Sequence, residues 1–175
     1  MDKCNIRGEM NPEILIIGAA ILDILVRPVG EDVFRIGSYN AEDIRMSVGA
    51  DALNEATILA KMGKRVGLET VIGKDKAGKL ILDHCHEQGI MLRDNSVKEG
   101  LSTGINVVLV EEDGRRSFLT NPHGSLRKLR LEDIPMPFPE SAKIICFASL
   151  FVFPEIRARD LEILFAQVKK QNKIL

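Results

Sequence analysis

The chain has 175 residues, 45% of them apolar, with 24 basic and 25 acidic side chains and a formal net charge of −1. That length buries one core of ordinary size, so one domain or part of one is expected, and the scattered basic residues exclude the footprint of a nucleic-acid binder. The apolar runs are too short to span a bilayer, and three widely spaced cysteines (Cys4, Cys85, Cys146) without metal-ligand spacing point to a reducing cytoplasm.

Residues 1–12 read as a loose polar leader without the apolar core of a signal peptide. Glu13 to Gly18 is a continuous apolar run of strand length, as expected for a strand covered on both faces. The β-rich segment that follows stops at Pro28 and Gly30, and 32–47 is mixed and partly alternating, which suits exposed strands or an excursion from the main sheet. A helix is predicted from about Ala52 to Met62, with Leu53, Ala56, Leu59 and Ala60 on one face and Gly63 as its stop. Val66 to Ile72 reads as a strand. Lys76 to Gln88 reads as a helix with Asp75 as N-cap and Gly89 as its stop.

Farther on, Thr103 to Glu111 is a strong strand, Glu112-Asp113-Gly114 is a hairpin turn signal, and Arg115 to Thr120 returns. Residues 121–139 are loop-like, with a short helical stretch near Leu131 to Ile134. Lys143 to Ala148 is another buried strand, and Pro154 to Gln171 an amphipathic helix with proline at its start. The alternation of strand and helix predicts an α/β fold with a mainly parallel sheet flanked by helices. Lys173-Ile174-Leu175 falls where the next strand of that alternation begins, so the chain reads as truncated.

The stretch from Val48 to Gly73 carries the first functional signal. Gly49 frees the backbone for a tight turn and close approach of a ligand. Asp51 or Ala52 then begins a helix whose first turn bears Asn54, placing an amide beside the exposed N–H groups of a helix terminus. Such an arrangement suits a small polyhydroxylated or anionic molecule. Asp23 is the second signal, interrupting the run AAILDILV just past the first strand, where ligands bind in open α/β sheets. A buried carboxylate needs donors, and sugar hydroxyls supply them; the alternative is a polar residue on a strand's exposed face.

Two other constellations carry less. Gly73 to Lys79 has the spacing of a phosphate-binding loop, but Leu80 stands where a magnesium-binding Ser or Thr is required, and Asp75 would set a carboxylate inside an anion cradle. A strand-to-helix turn capped by Asp75, with Gly78 closely packed, is the better reading. In Asp83-His84-Cys85-His86-Glu87 the two histidines lie about 200° apart on a helix, so a solvated face with a buried Cys85 is expected rather than a metal site. His123 stands alone in a loop, where it could touch substrate, though a surface role is the better reading.

Together these residues resemble the ribokinase-like (PfkB) family of carbohydrate kinases. The resemblance rests on Gly49-Ala50-Asp51-Ala52-Leu53-Asn54-Glu55-Ala56, followed by Gly63 and Gly73, and on Asp23 at the end of ILIIGAAILD. It extends through Gly73-x-Asp75-x-x-Gly78, the Gly89-Ile90 step and the EEDGRRSF hairpin, covering residues 13–175 as the N-terminal part of one ribokinase-like domain. It implies that Asp23 and Asn54 hold sugar hydroxyls, with the backbone of Gly49 and Ala50 close to the ring. It also implies a lid of β-strands from about 21–29, 34–46 and 103–120 that covers the substrate and, in many relatives, pairs two subunits. Closing such a lid excludes water from a phosphoryl donor. The implied activity is phosphorylation by ATP and Mg²⁺ of a hydroxyl on a sugar, nucleoside or related polyol.

Three departures bear on that resemblance. Ala50 stands where the family has a second glycine, at a cost of about 1–2 kcal/mol if its φ is positive. After the strand at Ile144 to Phe147, where many sugar-specific members carry a polar residue, Ser149 is the hydroxyl available. The family's second signature, a Gly-Ala-Gly-Asp turn with the catalytic base and anion hole, does not occur in the sequence. The resemblance places it, with an Asn-x-x-Glu element for magnesium, beyond Leu175, so no catalytic residue, metal ligand or nucleotide site is expected within the chain. Two alternatives stand beside the kinase: a non-catalytic sugar-binding or regulatory module, and a P-loop hydrolase built on Gly73 to Lys79.

Overall fold

The computed structural model describes residues 11–175; the predicted leader, except Asn11 and Pro12, lies outside the described residues, as does Cys4. In chain order the elements are β1 (Ile14–Ile17), β2 (Ile21–Arg27), β3 (Asp43–Gly49), α1 (Asp51–Lys61), β4 (Val66–Glu69), β5 (Ile72–Gly73), α2 (Lys76–Gln88), β6 (Val97–Lys98), β7 (Ile105–Val110), β8 (Arg116–Thr120), β9 (Ile144–Phe147) and α3 (Ala158–Lys170).

Two larger sheets and a short two-stranded one, β5-β6, organise them. The first is parallel in the order β4-β1-β9. Its central strand β1 has all four residues buried, and their alternation feeds two separate cores. Ile14 and Ile16 pack with Leu53, Ala56 and Ile81 on the face covered by α1 and α2. Leu15 and Ile17 pack with Phe138, Phe153 and Leu164 on the face covered by α3 and the segment before it. Each such large apolar side chain contributes about 1.5–3 kcal/mol by leaving water, which explains why the run reads as continuously apolar. Past β9, Ile174 forms a parallel bridge with Ile144.

The second sheet has the order β3-β2-β7-β8. β2 runs antiparallel to β3 and parallel to β7, and β7 runs antiparallel to β8. The segments read as exposed strands or an excursion from the main sheet, together with the 103–120 hairpin, form a sheet of their own. The stretch expected over 34–46 is also displaced: Glu31–Phe34 is a 3-10 turn and the strand occupies 43–49. Gly37, Ser38 and Asn40 interrupt strand pairing there, and the Tyr39 hydroxyl accepts from the Gly30 N–H at 2.8 Å, closing a loop.

Other boundaries shift for local reasons. The strand predicted over 66–72 breaks after Glu69, and Ile72–Gly73 pairs instead with Val97–Lys98 in a two-stranded parallel sheet. The last helix starts at Ala158 rather than at Pro154, because the Asp160 carboxylate accepts from the Arg157 N–H at 2.8 Å and fixes the helix entry there. The predicted α2 holds in full: Asp75 caps it by accepting from the Gly78 N–H at 2.8 Å, and Gly89 ends it at φ 69°. Among the described residues, no helix is long and apolar enough to cross a membrane.

Candidate functional site

β3 carries the chain up to Gly49, which pairs with Ile21 at the start of β2. Two residues along β2 on the same face stands Asp23, opposite Ser47. The Asp23 carboxylate lies directly over Gly49: a Cβ added to the glycine would come within 2.5 Å of Asp23 Oδ2. Glycine is thus required for close approach and not for a turn. The turn belongs to the next residue, Ala50, with φ 78° and ψ 158°, a backbone region adopted almost solely by glycine.

Ala50 is also the N-cap of α1, and its methyl group caps nothing. The first-turn N–H groups of α1 therefore receive no acceptor from the N-cap side chain. Asn54 stands one turn into this helix, exposed, with its backbone N–H donating to the Ala50 carbonyl at 2.9 Å. From the other side, the Ser149 hydroxyl just past β9 donates to the Asp51 carboxylate at the start of α1. Cys146 Sγ of β9 donates to Glu55 Oε2 at 3.3 Å; burial first, and the Glu55 carboxylate second, push this thiol up to about 11. The start of α1 is thereby fastened to the ends of β3 and β9.

Across the second sheet, register sets four polar side chains side by side: Ser47 on β3, Asp23 on β2, Asn106 on β7 and Thr120 on β8. The Thr120 hydroxyl donates to Asn106 Oδ1 at 2.7 Å. Burial raises the Asp23 carboxyl above the ordinary aspartate value, and hydrogen bonding from the Asn106 side chain partly offsets that rise. Leu25, Val108 and Phe118 form the next row on the same face. This face can accept and donate hydrogen bonds to neighbouring hydroxyls at one end and cover apolar surface beyond them.

Of the residues singled out in the sequence, Asp23, Gly49 and Ala50 meet at one corner, and Asn54 follows on the helix leaving it. Asn106, Thr120 and Ser47 were not anticipated. A polar residue at the second position of the apolar run INVVLV is the signal for Asn106, of the same kind that marks Asp23.

The remaining constellations lie elsewhere or are occupied. In the Gly73 to Lys79 segment Asp75 fills its own cradle, taking hydrogen bonds from Gly78 N, Thr103 N and Thr103 Oγ1 at 2.7–2.8 Å. Gly78 packs against the Gly73 carbonyl with no room for a side chain, and Lys79 pairs with Asp83 on the helix surface. His84 Nε2 is 2.8 Å from the Thr57 hydroxyl, which itself donates to the Leu53 carbonyl, so the ring joins α2 to α1. His86 and His123 are exposed. A cleft of about 490 Å³ bordered by Arg130, Glu132, Met136, Glu155 and Asp160 contains none of the candidate residues.

A family model described as pfkB family carbohydrate kinase matches residues 11–175. Among solved structures, fructokinase from Xylella fastidiosa is similar at 21% identity and TM-score 0.67, covering 91% of this chain and 47% of that one. The same enzyme with bound ATP gives 21% identity and TM-score 0.66 over 91% and 48%. Adenosine kinase from Sinorhizobium meliloti is similar at 22% identity and TM-score 0.69 over 93% and 54%. The chain spans about half the length of these structures, and the likeness establishes a shared α/β fold.

Proposed function

The chain belongs to the pfkB family of carbohydrate kinases, and on that premise we propose that it supplies the sugar-binding part of an ATP-dependent kinase acting on a hydroxyl of a sugar, nucleoside or related polyol. The observation that carries this reading is the Asp23 carboxylate held over Gly49 beside the uncapped start of α1. An ionised carboxylate accepts from hydroxyl donors, each such bond to a charged group being worth about 1.5–3 kcal/mol. Helix N–H groups and the Asn54 amide supply donors to the remaining oxygens. Asp23, Asn54 and the backbone of Gly49 and Ala50 are the proposed substrate contacts.

ATP and magnesium are held, on this proposal, outside these residues. The segment with phosphate-loop spacing does not fit a nucleotide, because the Asp75 carboxylate occupies the helix N-terminus where phosphate oxygens would bind. The sheet β3-β2-β7-β8 acts as the lid, its Asp23 face turned to the substrate. Its opposite face is apolar, with Ile44 and Met46 each 66% exposed and Leu119 52% exposed. A second copy's lid is the proposed cover, giving a homodimer. We place the protein in the cytoplasm, a setting supported by the free thiols of Cys85 and Cys146.

The test is ATP-dependent phosphorylation of D-fructose, D-ribose and adenosine, comparing the whole protein with the 175-residue chain. Transfer by the whole protein alone is expected. Turnover by the 175 residues themselves would sink the division of labour. Binding of one of these ligands without transfer in either would favour the second reading, a non-catalytic sugar-binding or regulatory module.

A further inference from the structure

The row of polar side chains that crosses the second sheet gives Asp23 a specific support. In the order Asp23–Asn106–Thr120 the asparagine stands between the carboxylate on β2 and the hydroxyl on β8. An asparagine amide has one acceptor oxygen and one donor NH₂ on opposite sides. The Thr120 hydroxyl takes the oxygen at 2.7 Å. With Oδ1 committed toward β8, Nδ2 is the amide atom left to serve Asp23, which the register sets alongside on β2. We propose that Asn106, locked by Thr120, is a positioning residue that holds the Asp23 carboxylate ionised and oriented as an acceptor for substrate hydroxyls. This inference rests on the sugar-site reading above.

The surroundings leave Asn106 as the group that does this. Burial disfavours the charged form of Asp23, and the Asn106 side chain is the neighbour that opposes it. On β3, Ser47 is opposite Asp23 and neutral, while Arg45 one row away is engaged by Asp43, with Nε 2.9 Å from Asp43 Oδ2 for Arg27 and 2.6 Å for Arg45. Arg27 on β2 and Arg116 on β8 lie two rows from Asp23. On β7, Val108 and Val110 continue the face without charge. α2 packs against β2, and its buried residues are Ala77, Gly78, Ile81 and Cys85, the last a thiol pushed up to about 12 by burial and so neutral.

The experiment needs no ligand, so its failure is distinguishable from failure of the sugar-site reading. The side-chain carboxyl of Asp23 is followed by carbon-detected NMR against pH in the 175-residue chain, its signal assigned with Asp23→Asn. In Asn106→Ala the midpoint of Asp23 is expected to rise by about one unit relative to the parent chain, as a donor to the charged form is lost. In Thr120→Val, on an exposed edge strand whose backbone pairing is untouched, a smaller rise in the same direction is expected as the amide loses its lock. An unchanged or lowered midpoint in Asn106→Ala overturns the proposal. Should that variant fail to fold, an unchanged midpoint in Thr120→Val overturns it instead. A rise in Asn106→Ala without one in Thr120→Val overturns the part assigned to Thr120.

Discussion

Asp23 Oδ2 occupies the space above Gly49 that any larger residue's Cβ would claim, at 2.5 Å from where that atom would sit. The contact links the sequence's two strongest functional signals, a carboxylate in an apolar strand and the glycine before a helix. Gly49 is buried and Asp23 half-buried beside it at the base of the second sheet, where β3 turns into α1.

Gly49→Ala follows directly. Its φ lies outside the positive range, so alanine is tolerated by the backbone, and the atom displaced is the far end of a flexible side chain. Stability is expected to change by no more than about 1 kcal/mol, while affinity for the bound sugar or nucleoside falls about tenfold or more as the carboxylate is pushed aside. Denaturant melts and calorimetry separate the two effects, and full affinity in this variant would remove the Asp23–Gly49 pair from the site.

Ala50→Gly is expected to stabilise the fold. The present residue holds φ 78° and ψ 158°, a conformation costing a non-glycine residue about 1–3 kcal/mol. Glycine returns about 0.5–1 kcal/mol of that through a freer unfolded chain. A net gain of about 1 kcal/mol in urea unfolding is the outcome to look for; a loss would show that the alanine is unstrained.

Arg93→Ala should be the most damaging of these substitutions. Glu69 at the end of β4 is 1% exposed in its side chain and is gripped by Arg93, with Nε 2.8 Å from Oε2 and Nη2 2.7 Å from the same oxygen. Removing the guanidinium leaves a buried charge unpaired, at a cost of about 3–5 kcal/mol. Adding Glu69→Gln should recover part of the loss. A double variant no more stable than Arg93→Ala alone would argue against this pair as the cause.

Asp75 supplies a pH test of the fold. Desolvation pushes its carboxyl up, but hydrogen bonds from the Gly78 and Thr103 backbone, the Thr103 hydroxyl and the Ala77 backbone together outweigh that, and hold it below the ordinary aspartate value. With the folded value depressed, the stabilisation is fully present above the unfolded value of about 3.9 and is lost as pH falls through the folded one. Asp75→Ala should cost about 2 kcal/mol or more near neutrality. The gap from the parent chain should narrow once the pH drops below about 4. A gap that stays constant into acid would contradict the charged cap.

The sequence made the main sheet and α2 readable because their signals are local. Ile14 to Ile17 are apolar at every position since both faces of β1 are covered, and Asp75 and Gly89 delimit α2 by capping chemistry that spans a few residues. The second sheet was less legible. Whether Ile44 to Val48 and Thr103 to Thr120 extend the main sheet or form another depends on pairings between distant strands, which no local pattern encodes. The candidate site divides in the same way. Asp23, Gly49 and Ala50 stood out as single residues against their surroundings, even to the positive φ at Ala50. Asn106 and Thr120 gain meaning only from the register that sets them beside Asp23.

The most direct test of the sugar-binding assignment is calorimetric titration of D-fructose, D-ribose and adenosine into the protein and into Asp23→Ala and Asn54→Ala. The parent is expected to bind at least one of them, and each substitution to abolish that binding or weaken it about tenfold or more while leaving the thermal unfolding cooperative. Unchanged affinity for that ligand in Asp23→Ala would contradict the assignment of this corner of the molecule as the substrate site.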